Sequence, residues 1–199
     1  LKKKDEVKIN IYEKILIVLL GYFLLPVFIS IPYYLSIYNI SLVDSYFESV
    51  SGFTSTGFSI FTNIKHIDES IILWRSSSQW IGGLYFLFSI IFLIDIFDKN
   101  LKKSLTNFLS FNSSEILKQF FKILIYYSIL TFTIFLILIF FKIRLFDSFN
   151  LSMSLISSGG FLPVNNLGEI IDNNKKKLVL SLLMLLSFFS LYMSYNLIK

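Results

Sequence analysis

The residues of this chain with the means to do chemistry are small and rich in oxygen: Thr54-Ser55-Thr56-Gly57 and, further along, Ser157-Ser158-Gly159-Gly160. A dehydrated alkali cation needs several oxygens to replace its water. Backbone carbonyls of a short extended loop supply them where side chains allow close approach and unusual dihedrals. Both stretches meet that need, with hydroxyls to tie the loop to its surroundings and a glycine where a side chain would obstruct. The bland alternative is that glycine and serine mark ordinary turns.

Other chemistries have little to work with. Cysteine is absent, which removes disulfides, thiolate metal sites and cysteine catalysis, and one histidine, His66, makes no metal cluster. His66 has Asp68 and Glu69 near it, but a lone histidine in a polar stretch is usually solvated. Neither a Gly-x-Ser-x-Gly elbow nor a histidine on an apolar helix is present. No enzymatic activity and no cofactor are expected.

The two loops are related. A shift of 103 residues places Asp44 on Asp147, Ser45 on Ser148, Ser49 on Ser152, Ser55 on Ser158, Gly57 on Gly160, Phe58 on Phe161 and Asn63 on Asn166, without a gap. Such self-similarity marks two copies of one unit. Glu48 and Arg75 break the pattern, mapping to Leu151 and Leu178. Both charges vanish together, which suggests a buried pair bracing the first loop, since ionisable residues inside a membrane usually have partners. The alternative is that Arg75 reaches the membrane surface on its own. Asn63 and Asn166 are expected to fix turns after the loops.

The elements that must hold these loops are apolar. Over 199 residues the chain is 55% apolar and 18% aromatic, with mean hydropathy +0.71. That composition is a multi-pass membrane protein's, in contact with lipid. The net charge of +5 comes from lysines and arginines clustered at the ends of apolar runs, a topology signal and not a nucleic-acid footprint. Spans are expected at about Ile15 to Tyr38 (containing Pro26 and Pro32), Ile71 to Ile94, Phe120 to Phe141 and Leu178 to Ile198. Half-helices, too short to cross, are expected at Ser41 to Gly52 and Phe146 to Ile156, each leading into a loop.

The expected organisation is a cytoplasmic segment 1–13, a first helix–pore loop–helix unit 14–94, a cytoplasmic linker 95–119 and a second such unit 120–199. The fold class is an all-α membrane protein with two helix–pore loop–helix repeats, a partial pore. The second span carries Arg75, Ser76 to Gln79 and Gly82-Gly83, too polar to face lipid, and Ser78 and Gly82 have the spacing of close helix contacts. The chain starts at Leu1 and stops at Lys199 just after an apolar run, so it reads as a piece of something longer. No line of carboxylates crosses the spans, so coupling to H+ or Na+ is not visible.

Phe47-Glu48-Ser49-Val50-Ser51-Gly52-Phe53-Thr54-Ser55-Thr56-Gly57 resembles the second pore loop of the TrkH/KtrB potassium uptake family, related to the HKT and Trk transporters. Trp74-Arg75 through Gln79-Trp80-Ile81-Gly82-Gly83 resembles the helix that follows, and Ser157-Ser158-Gly159-Gly160-Phe161 the third pore loop. The resemblance implies a pore-forming subunit of four repeats, with one filter glycine in each, conducting K+ across the plasma (inner) membrane. The filter would comprise Thr54, Ser55, Thr56, Gly57, Ser157, Ser158, Gly159 and Gly160, with Glu48, Arg75 and Gln79 as support and K+ the only metal, held by carbonyls. It also implies a homodimer and a cytoplasmic nucleotide-binding regulatory subunit. Glycine at 57 and 160 favours potassium, since serine at a filter glycine goes with sodium preference in the HKT group. The chain departs from the family by lacking first and fourth repeats and a Gly-rich break in its fourth span. Two alternatives are a non-conducting membrane scaffold or regulatory partner, and a two-repeat protein that completes a pore only as a dimer.

Overall fold

The computed structural model describes residues 10–93 and 113–188. The expected N-terminal segment, the linker and the end of the fourth span lie wholly or partly outside the described residues. Six α-helices make up the described fold: α1 (Ile11–Ser36), α2 (Leu42–Phe53), α3 (Glu69–Leu93), α4 (Ser113–Phe140), α5 (Leu145–Ile156) and α6 (Asn174–Phe188). Single 3-10 turns, Ile64–His66 and Leu167–Glu169, follow the two short helices.

Local chemistry sets the helix ends. A capping box starts α1, with Asn10 N–H donating to Glu13 Oε2 at 2.8 Å, so the helix begins four residues before Ile15. It runs through Pro26 and Pro32 as one element. Neighbouring side chains donate to its carbonyls, Tyr46 to Phe23, Trp74 to Ile29 and Tyr85 to Val18, which is how a membrane helix keeps its polar backbone supplied. Ser41 caps α2, its hydroxyl accepting from Asp44 N–H at 3.0 Å.

Polarity is distributed inside out. Glu48, Ser49, Arg75, Ser76, Ser78, Gln79, Ser148, Asn150 and Ser152 are buried, while α1 exposes Leu16, Leu20, Phe23, Leu24, Val27 and Phe28. The exposed stripe on α4 is Phe121, Ile125, Ile129, Phe132, Leu136 and Phe140, at helical spacing. Water would penalise that arrangement and hydrocarbon would not. Two described helical stretches, Ile11–Ser36 and Phe120–Phe140, are long and apolar enough to cross a bilayer.

Two apolar clusters hold the layers together. One joins Ile29 and Tyr33 of α1 to Phe53 and Ile71. The other joins α4, α5 and α6 through Ile123, Tyr127, Leu151, Leu155 and Leu180, and takes in Leu84 and Leu87 of α3. Helix α3 therefore belongs to both, packing on α1 and α2 on one side and on α4 and α5 on the other. Close approach requires glycine there: a Cβ on Gly82 would overlap the Phe53 carbonyl, and one on Gly83 would come within 2.5 Å of the Tyr127 hydroxyl.

Candidate ion-binding loops

The loops inherit their geometry from the helices that feed them. Helices α2 and α5 are each 12 residues long and begin at Leu42 and Leu145, 103 apart. Each ends in a Schellman motif. In the first, Ser55 N–H donates to Gly52 O at 3.0 Å and Thr56 N–H to Ser51 O at 2.9 Å. In the second, Ser158 N–H donates to Leu155 O at 3.0 Å and Gly159 N–H to Ser154 O at 2.8 Å. The left-handed position is usually glycine, but here it is Ser55 and Ser158, both at φ 55°. A serine in that region is strained by roughly 1–2 kcal/mol.

Two residues on, the backbone turns left-handed again, at Gly57 (φ 80°) and Gly160 (φ 78°). Positive φ at alternate residues breaks the alternation of an extended strand, in which successive carbonyls point to opposite sides. Both loops lie side by side: a Cβ on Gly57 would come within 2.5 Å of the Gly159 carbonyl oxygen, and one on Gly160 would lie 4.0 Å from Gly57 Cα. Thr54 and Thr56 are exposed, as are Ser158 and Gly160, while Ser157 and Gly159 are buried and Ser55 and Gly57 half-buried. The Thr54 and Thr56 hydroxyls bond each other at 2.7 Å.

Behind the first loop, Glu48 accepts from three donors. Its Oε1 is 2.9 Å from Arg75 Nε and 2.9 Å from the Ser59 hydroxyl, and Oε2 accepts the Ile60 N–H at 3.1 Å as well as the same hydroxyl at 3.2 Å. The carboxylate thus ties the returning chain at 59–60 to α2. Arg75 also donates to Ser59 Oγ at 2.9 Å, and its guanidinium lies 4.3 Å from the Phe161 ring centre, so it touches both loops. Gln79 reaches the second loop directly, donating from Nε2 to the Gly159 carbonyl and accepting the Phe161 N–H on Oε1 at 3.2 Å.

The turns beyond the loops are joined as well. Asn165 Oδ1 accepts the Ile64 N–H at 2.6 Å, and its amide donates to Asn63 Oδ1 at 3.0 Å. Asn63 and Asn166 each start a 3-10 turn through their carbonyls, which accept from His66 and Glu169 N–H. Lys65 pairs with Glu169 at 3.0 Å, and Arg144 with Glu69 at 2.6 Å. His66, exposed, has no cluster around it: among the described residues no group of histidine and carboxylates could hold a metal ion. A hydrogen bond from Lys176, at 3.0 Å, holds exposed Asp172 below the usual carboxylate range, away from the loops.

Beside the second loop a cleft of about 410 Å³ opens between α5 and α6, lined by Leu151, Ser154, Ser158, Gly160, Leu180 and Met184. Sequence reasoning missed Asn165, Ser59 and the contact of Phe161 with Arg75. Only Phe161 carried a signal, its match to Phe58 at the 103-residue shift.

Comparison with known proteins gives a consistent picture. Residues 3–194 match the family model described as TrkH, a cation transport protein. The chain is 47% identical over 55 residues to an uncharacterised cation transporter of Methanocaldococcus jannaschii, covering 28% of this chain and 12% of that one. It is 33% identical over 84 residues to the Trk system potassium uptake protein TrkH of Escherichia coli, covering 42% and 17%, and 32% over 78 residues to TrkI of Halomonas elongata, covering 39% and 16%. The matched stretches are thus a small part of those relatives' length. Among solved structures, that of the potassium transporter TrkH from Vibrio parahaemolyticus superposes with TM-score 0.72 at 22% identity, covering 94% of this chain and 37% of that one, a likeness of fold.

Proposed function

Because this chain belongs to the TrkH family of cation transport proteins, we propose that it is part of a pore-forming subunit that passes K+ across the plasma (inner) membrane. The observation that carries this reading is the pair of adjacent loops with left-handed Gly57 and Gly160, which allow consecutive carbonyls to share one side. Oxygens drawn from the stretches Thr54 to Gly57 and Ser157 to Gly160 take the place of the ion's water. The C-terminal ends of α2 and α5 contribute partial negative charge toward the loops, which favours a cation over an anion.

Each helix–loop–helix unit supplies one side of the filter, so two such units make half a ring. Glu48 and Arg75 support the first loop from behind, as an ion pair whose members offset each other and leave no net charge near the ion. The reading extends to a homodimer in the membrane and a cytoplasmic nucleotide-binding regulator; the relatives are named as potassium uptake proteins of Trk systems, which fits a chain that works with further components. It calls on no cofactor and no covalent step. Cation influx into vesicles carrying the full-length protein tests it, with Gly57→Ser as the filter variant: wild type takes up Rb+ as a K+ tracer, and the variant loses that uptake or its preference over Na+.

A further inference from the structure

Gln79 is where the first unit takes hold of the second unit's loop. Its side chain is fully buried, and its one planar amide pairs with two backbone groups flanking Gly160, the Gly159 carbonyl and the Phe161 N–H. The Gly159 oxygen is also the atom that a Cβ on Gly57 would meet at 2.5 Å, so it sits in the seam between the loops. Gly159 is buried, whereas its neighbours Ser158 and Gly160 are exposed.

We infer that Gln79 is a positioning residue that withdraws the Gly159 carbonyl from the ion's cage, leaving Ser158 and Gly160 to face the ion, and so sets the ion preference of the second loop. This rests on the conduction reading above. A carbonyl that accepts from an amide has a lone pair committed and its direction fixed, and it is a weaker cation ligand than a free one. Released from Gln79, the Gly159–Gly160 peptide is free to turn and add an oxygen to the cage, which changes both ligand number and field. The two loops are unequal in this respect. Thr56, which matches Gly159 in register, is exposed, and the residue matching Gln79 in the second unit is Leu182.

The test uses full-length protein in two formats, Rb+ against Na+ influx in proteoliposomes and hydrogen–deuterium exchange of the Ser157 to Phe161 backbone. Gln79→Leu removes both bonds, so the Rb+ to Na+ ratio is expected to fall about tenfold and the Phe161 amide to exchange about tenfold faster, the scale of one hydrogen bond. Gln79→Glu keeps the acceptor for Phe161 but loses the donor to Gly159. It is expected to lose selectivity while the Phe161 amide stays slow, and it carries the test should Gln79→Leu fail to fold. Conduction with an unchanged ratio in these variants overturns the inference and leaves the conduction reading standing, and unchanged Phe161 exchange in Gln79→Leu overturns the clamp itself. A wild-type protein that carries neither ion overturns the conduction reading, and the selectivity role falls with it.

Discussion

Arg75 Nε lies 2.9 Å from Glu48 Oε1, with the two side chains 2% and 0% exposed. Neither charge has water to fall back on, so each depends on the other and on the hydroxyl of Ser59, which both contact. At the matching positions the second unit has Leu151 and Leu178. The same framework is therefore built once with an ion pair and once with none.

That contrast predicts a double-mutant result. Glu48→Leu or Arg75→Leu alone strands a buried charge and costs about 3–5 kcal/mol, so detergent-solubilised protein should melt far lower or express poorly. The double variant, which copies the second unit, should recover much of the loss. Thermal melts of the two singles and the double give the coupling energy, and a double as unstable as the summed singles would show that the pair is not a unit.

Glycine spacing on α3 predicts a position-specific cost. A Cβ at Gly82 overlaps the Phe53 carbonyl, which is backbone and has little freedom to move, whereas a Cβ at Gly168 meets nothing within 4 Å. Gly82→Ala should destabilise by about 1–3 kcal/mol or more, and Gly168→Ala by less than about 0.5 kcal/mol. Melting temperatures of the two variants side by side check this.

The filter glycines should respond unequally. Substitution at Gly57 meets both a left-handed φ and the Gly159 oxygen at 2.5 Å, while at Gly160 only the φ of 78° is at odds with a side chain. Gly57→Ala is therefore expected to reduce Rb+ uptake more than Gly160→Ala, with strain of about 1–3 kcal/mol common to both. Uptake rates normalised to protein in the membrane provide the comparison.

Beyond the loops, one asparagine should matter more than a neighbouring salt bridge. Asn165 makes two hydrogen bonds to the first unit, and the Lys65–Glu169 pair is partly exposed, at 60% and 33%. Asn165→Ala should cost about 1–2 kcal/mol, and Lys65→Ala no more than about 1 kcal/mol. Salt should weaken only the second contact, which melts at low and high ionic strength reveal.

Much of this was legible in the sequence because it is local or repeated. The Ser41 cap, the short helix after it and the loops themselves announce their places through residue type, and the 103-residue shift aligns Gly57 with Gly160. Helix α1 starts at Ile11, ahead of the apolar run from Ile15, because Lys14 is buried in the helix and lies over the Phe92 ring instead of ending it. Long-range partners were out of reach for a different reason. Gln79 and Gly159 are 80 residues apart, and nothing in either stretch says which loop an amide on α3 will meet. Asn165 was overlooked in favour of Asn166, since the shift matches Asn166 to Asn63 while the side chain that crosses the seam is its neighbour.

The most direct measurement is Rb+ influx into proteoliposomes containing the full-length protein, against empty vesicles and the Gly57→Ser variant, with Na+ as competitor. The account predicts Rb+ uptake by wild type that excess Na+ barely reduces, and its loss, or loss of its preference over Na+, in Gly57→Ser. Protein that is folded and inserted yet gives no more influx than empty vesicles, or a Gly57→Ser variant with unaltered uptake and selectivity, would contradict it.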